Sequence, residues 1–151
     1  MAARKIPARD LIIQVSDGQA TPTWLDIAGL TSMTPNPGEN EETVDITDAT
    51  SGGHHEQLVM QRGASMELEG HLVKDDVTGE LDPGQARCEQ LAAQVGYASL
   101  GKVRFRHPMD TQWRVWTATF SLGEQGGGVN DVTSWSCTIT RVGATMTEAV
   151  V

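Results

Sequence analysis

The chain has 151 residues, with 11 Lys and Arg against 20 Asp and Glu, a formal net charge of −9. That length suits a single domain over 1–151 with a sizeable core. The acidic balance repels polyanions and argues against tight nucleic-acid binding.

The N-terminus, M-A-A-R-K-I-P-A-R-D, has basic residues but no apolar run behind them, so no secretory signal is expected. No stretch approaches the ~20 apolar residues of a membrane span. Residues 10–16 place Leu11, Ile13 and Val15 on one face at period two, which predicts a strand. After the turn D-G-Q-A-T-P, the run W-L-D-I-A-G-L resumes a strand pattern from Trp24. The breaker cluster T-P-N-P-G-E-N at 34–40 predicts a loop. Glu39, Glu41 and Glu42 then lead into a short strand at V-D-I-T, and residues 48–63 follow as one long polar loop. From 65 to 73, Met66, Leu68 and Leu72 alternate with Ser65, Glu67, Glu69 and His71. A one-residue slip there would bury both glutamates, so the register is firmly set.

Asp82 as N-cap and Pro83 at the first helical position predict a helix over 83–98. Its apolar side is read as Ala86, Cys88, Leu91, Ala92, Val95 and Tyr97, with Gly96 as a stop. Three strands follow. Residues 102–107 turn Val103 and Phe105 inward and Lys102, Arg104 and Arg106 outward. Residues 112–122 put Trp116, Ala118, Phe120 and Leu122 on one face. Residues 131–142 set Trp135, Cys137 and Ile139 against Ser134, Ser136, Thr138 and Thr140. The whole reads as a mainly β domain of about seven strands with one flanking α-helix, a β-sandwich or barrel.

Catalytic chemistry is hard to assemble from these residues. His54, His55 and Glu56 are adjacent, and neighbours in sequence rarely converge on one metal. Nothing places a base beside Cys88. Cys88 and Cys137 stand far apart in different patterns and read as two reduced, buried thiols. Glu67 and Glu69 would need a pocket to separate their pKa values, so a solvated or subunit-facing acidic stripe is the simpler reading. G-E-Q-G-G-G-V-N precedes no helix and lacks the Lys-Ser/Thr pair of a phosphate loop. Arg104 and Arg106 share a strand face with no stacking platform of aromatics beside them. No enzyme activity, cofactor or metal is expected. Long loops at 34–43, 48–63 and 123–131 on a β domain with open edges point instead to self-assembly.

Taken in order, W-L-D-I-A-G-L, E-E-T-V-D-I-T-D-A-T-S-G-G, Q-R-G-A-S-M-E-L-E-G-H-L-V, the helix opening D-P-G-Q-A-R-C-E-Q-L and the strand S-W-S-C-T-I-T-R-V-G resemble the major tail tube proteins of long-tailed bacteriophages. The resemblance spans about residues 10–147. It implies hexameric rings stacked into a hollow tube that conducts viral DNA at ejection, with each subunit lending strands to an inner barrel. The loop at 48–63 would then reach into the adjoining ring, with Gly52, Gly53 and Gly63 as hinges, His54 and His55 within it, and Leu58, Val59 and Met60 as anchors. Such a loop would be mobile in a free monomer, as would the termini at about 1–8 and 148–151.

Double-stranded DNA must pass without sticking, so acidic or hydroxyl groups should line the lumen, and alternation nominates Glu67, Glu69, Ser136, Thr138 and Thr140. Lys102, Arg104 and Arg106 would brake DNA and are expected elsewhere. The implied partners are further copies of the chain and the tape-measure, tail-tip and tail-terminator proteins. The implied place is the virion tail, assembled in the host cytoplasm, with no room at the C-terminus for an added immunoglobulin-like domain. Two competing readings are a tube subunit of a contractile phage-like injection device and a monomeric β-sandwich module. The latter would bind carbohydrate or protein, with Trp24 or Trp113 as a stacking surface.

Overall fold

The computed structural model describes residues 3–150. Among them are nine strands and one helix: β1 (Ile12–Ser16), β2 (Trp24–Asp26), β3 (Leu30–Asn36), β4 (Glu42–Asp45), β5 (Gln57–Gln61), β6 (Ser65–His71), α1 (Pro83–Ala92), β7 (Gly101–Arg106), β8 (Gln112–Leu122) and β9 (Ser134–Ala149). Seven of the strands form one antiparallel sheet in the order β2-β1-β7-β8-β9-β6-β3, and it curls into a half-barrel. The mainly β architecture with one helix is therefore as the sequence predicts. β4 and β5 pair only with each other and form a separate ribbon.

Alternation fills the inside of the curl. Val15, Met66, Leu68, Val103, Trp135, Cys137 and Ile139 are all essentially inaccessible, and Phe105 meets Trp116 edge to face at 5.0 Å. The helix closes this core with Cys88 and Leu91. Its first turn lies so close to the β2–β3 link that a Cβ on Gly84 would collide with the Asp26 carbonyl and the Ile27 Cα. Next to Gly84, the fully buried Gln85 fastens the helix to two chain segments. Its Nε2 donates to the carbonyls of Ala28 (2.9 Å) and His71 (2.8 Å), and its Oε1 accepts from the Val73 amide (3.1 Å). Asp82 caps the helix as predicted, accepting from the Gln85 amide.

Several boundaries differ from the sequence reading, each for a physical reason. The helix ends at Ala92 rather than 98, because the β-branched Val95 is extended (φ −130°, ψ 160°) and Gly96 turns left-handed at φ +65°. Val95 and Tyr97 consequently lie in solvent, at 85% and 95% exposure, not on the apolar stripe. W-L-D-I-A-G-L divides at Gly29 (φ +75°) between β2 and β3. The loop expected from Thr34 is strand as far as Asn36, since β3 is an edge and an edge tolerates the missing amide of Pro35.

β9 runs on to Ala149, carrying residues 148 and 149, expected as part of a flexible tail, into pairing with β8. It passes a bulge on the way. Between the pairs Val115↔Met146 and Thr117↔Val142, β8 advances two residues and β9 four, with Gly143 at φ +79°. Finally, the two cysteines do not stand apart. Both are free and buried, and the neighbouring Cys137 together with burial pushes the Cys88 thiol well above its ordinary value.

Candidate assembly surfaces: a projecting arm and a polar sheet face

The segment expected as a loop at 48–63 is half of a β-hairpin arm. β4 and β5 pair as Thr43↔Val59, Val44↔Leu58 and Asp45↔Gln57, so Leu58, Val59 and Met60 belong to a strand and not to a loop. The sequence hid this because every residue of both strands is exposed, and a ribbon without a buried side need not alternate. A rise of about 3.3 Å per residue carries the tip on the order of 20 Å from its root. Val44 and Leu58 lie opposite one another, Ile46 continues their side of the ribbon, and Met60 stands unpaired at the bulge between Glu42 and Thr43. All four are open to solvent, from 40% (Ile46) to 67% (Met60). Val59, on the reverse side, is 39% exposed.

The tip holds its shape through short-range polar contacts. Thr47 Oγ1 accepts from the Glu56 amide at 2.8 Å, and Asp48 and Ser51 form a reciprocal cap. Gly52 and Gly53, expected as hinges, occupy the tip turn at φ +66° and +82°. Gly63 instead permits a close approach. A Cβ there would strike the Glu39 carbonyl, so the two passes of the neck lie in contact. The neck is further tied by Arg62 Nη1 to Glu41 Oε1 (2.9 Å) and Gln61 Nε2 to the Asn40 carbonyl (2.8 Å). His54 and His55 are exposed on the return leg, and His55 Nδ1 lies 3.4 Å from Thr47 Oγ1. The hydroxyl and amide of Thr47 hold the Asp45 carboxyl below its ordinary value, and those of Thr50 do the same for Asp48.

The five residues nominated for a lumen come together on one face of the main sheet. Glu67 is opposite Thr138, Glu69 opposite Ser136, and Thr140 lies between Ser65 and Thr119. Thr34 and Ser32 of β3 and Ser121 of β8 extend the same polar face. Both glutamates and Thr138 are exposed, while Ser136 and Thr140 are half-buried.

The register also puts Lys102, Arg104 and Arg106 on this side of the sheet, but across β8 on β7. Here aromatics are present, contrary to the sequence reading. The Arg104 guanidinium lies between the rings of Trp24 (4.3 Å) and Trp113 (4.2 Å), and Arg106 also faces Trp113 at 4.8 Å. Arg104 Nε donates to Gln14 Oε1 at 2.9 Å, and Glu148 lies 3.8 Å away. Burial lowers the Arg104 pKa from its ordinary value, and Glu148 opposes that shift. Trp113 is only 6% exposed and offers no free ring face to a sugar, and Arg104 covers one face of the half-buried Trp24.

Among solved structures the chain is similar to one in the tail of an empty gene transfer agent particle with C6 symmetry. The TM-score is 0.69 at 22% identity, covering 96% of this chain and all of the other. A chain in the virion of the native gene transfer agent particle gives 0.65 at 20%, with the same coverages of 96% and 100%. The SPP1 tail tube gives 0.61 at 16%, covering 97% of this chain and 81% of the other. The chain has the tail-tube fold. No family model matches it. No curated protein matches it either. Within the tail-tube fold of this chain, the arm and the polar face are surfaces whose chemistry the core does not explain. Among the described residues no group of three His, Cys, Asp or Glu is placed to hold a metal, and no helix is long and apolar enough to cross a membrane.

Proposed function

We propose that the chain is a structural, non-catalytic subunit of a bacteriophage-type tail tube, stacked as hexameric rings into a conduit for double-stranded DNA. One observation carries this reading. A body with the tail-tube fold bears an arm whose apolar residues Val44, Ile46, Leu58 and Met60 are all exposed. An isolated two-stranded ribbon is at best marginally stable in water, so such an arm is completed by another chain. Arm-to-body contact between copies is heterologous and does not close on itself, which yields a filament instead of a finite dimer.

In this reading Glu67, Glu69, Ser136, Thr138 and Thr140 face the lumen, where carboxylates and hydroxyls let phosphates slide. Sequestering Arg104 between two indoles and beside Glu148 removes one cation from that traffic. The tape-measure, tail-tip and terminator proteins would meet the ends of the tube, in the virion tail, after assembly in the host cytoplasm. A carbohydrate-binding module is the weaker reading, because Trp113 is buried and Arg104 already covers one face of Trp24.

The test is negative-stain microscopy with light scattering on the concentrated chain, beside a variant in which residues 43–60 are replaced by a short Gly-Ser turn. The intact chain should form rings or tubes. The armless variant should keep its circular dichroism spectrum and stay monomeric. Tubes from the armless variant would remove the arm from the mechanism. An intact chain that stays monomeric even when seeded with tail-tip complexes would sink the tube reading.

A further inference from the structure

The half-barrel is open at the end from which the arm leaves. A cleft of about 620 Å³ lies there, walled by Leu11, Met33, Pro35, Pro37, Phe105 and Trp116. Its charged lining consists of Arg114 and Arg141, with His107 and Thr145 beside them and no carboxylate. Arg114 rests over the Phe105 ring at 4.6 Å, and Arg141 Nη1 donates to Thr145 Oγ1 at 2.8 Å. Among the described residues neither arginine forms an ion pair. Trp116 is 3% exposed and its indole N–H has no acceptor, and Arg141 Nε and His107 Nδ1 are likewise buried without partners. A buried donor left unmatched costs about 1–3 kcal/mol. An apolar cleft with unpaired cations and unmatched donors is therefore suited to an apolar segment carrying carboxylates and carbonyls.

The arm has that chemistry. From Glu42 to Gln61 it contains the carboxylates Glu42, Asp45, Asp48 and Glu56 and no Lys or Arg. Glu56 lies opposite Ile46 on the side of Val44 and Leu58, and Glu42 and Met60 follow at the root of this stripe, where the ladder bulges between Glu42 and Thr43. We infer that the cleft receives the apolar side of the arm of a second copy, with Glu42 and Glu56 meeting Arg114 and Arg141. This rests on the tube reading and adds to it the seat of the arm. Burying the stripe removes four exposed aliphatic side chains from water at the same contact that neutralises the arginines.

The experiment mixes two full-length chains, one Met60→Cys and one Thr145→Cys, allows assembly, and adds a short bis-maleimide. The native Cys88 and Cys137 are buried and give no background. A cross-linked dimer should form only in the mixture, and a Met60→Cys with Ser99→Cys pair, at the opposite end of the barrel, should give none. Rings or tubes without a cross-link between positions 60 and 145 overturn the seat and leave the tube reading intact. A chain carrying both substitutions that cross-links to itself at high dilution also overturns the seat, because its own arm then fills the cleft. No assembly under any condition overturns both. As a second readout, Arg114→Glu should raise the concentration for half-assembly roughly tenfold, and Glu56→Arg in the same chain should restore it. Failure of that rescue counts against the seat.

Discussion

The half-barrel and the arm are built of the same element, antiparallel strands, and are stabilised in opposite ways. In the body each strand has a buried side, and residues such as Trp135, Met66 and Ile139 are fully enclosed. In the arm both strands are exposed throughout, and shape comes from the ladder, the Asp48–Ser51 cap and the ties at the neck. The comparison separates two uses of apolar side chains. Those of the body determine whether a monomer folds, and those of the arm stay open to solvent, where the proposed assembly would use them.

The sharpest way to break that contrast is a pair of substitutions. Trp135→Ala empties the centre of the core and should cost about 3–5 kcal/mol, read as a lowered midpoint in chemical denaturation. Leu58→Ser should leave the same midpoint within about 0.5 kcal/mol while weakening assembly. Equal effects on the monomer would show that the arm belongs to the body's cooperative unit.

Next in size is Gln85→Ala. It strands the Val73 amide and the carbonyls of Ala28 and His71, for an expected loss of roughly 2–4 kcal/mol. A loss below about 0.5 kcal/mol in urea titration would mean that water replaces the amide without penalty.

The smallest effect is on the tip. Asp45 and Asp48 have folded-state pKa values below their unfolded ones, so their ionised forms stabilise the tip above the ordinary aspartate value. That stabilisation is lost as pH falls through the folded values. Protection of the Thr47, Thr50 and Ser51 amides, taken relative to intrinsic exchange, should therefore fall below about pH 4, ahead of core amides on β8 and β9. Unchanged protection down to about pH 2 would show that the backbone ladder alone holds the tip.

Much of the body was legible because one-sided burial writes itself as alternation. β6, β7 and the core side of β8 and β9 were found from Met66, Leu68, Val103, Phe105, Trp135 and Ile139. Where burial ceases to be one-sided, the pattern fails. β5 carries no alternation to read, and its partner strand lies across an eleven-residue tip between Asp45 and Gln57. Trp113 and Val115 are buried on the side opposite the core, where the Arg104 guanidinium covers Trp113. A sequence rule that treats arginine as a mark of solvent misses such a cluster. The nearness of Cys88 to Cys137 is a fact of tertiary packing that spacing along the chain does not encode. The polar sheet face was legible as a set of residues. That β7 brings its cations onto the same side became visible only with the strand order.

One further consequence comes from the neck. The arm is stiffened along its length by its own ladder but joins the body through two chain passes, with Asn40 left-handed at φ +61° and Gly63 packed against Glu39 and Asn40. Mechanically this is a beam on a narrow root. In the proposed stack, with the arm seated on a neighbour, bending strain would concentrate at residues 39–41 and 61–63. The compliance of such a tube would then be set by a joint of a few residues, and loosening the Arg62–Glu41 tie would soften it without altering its diameter.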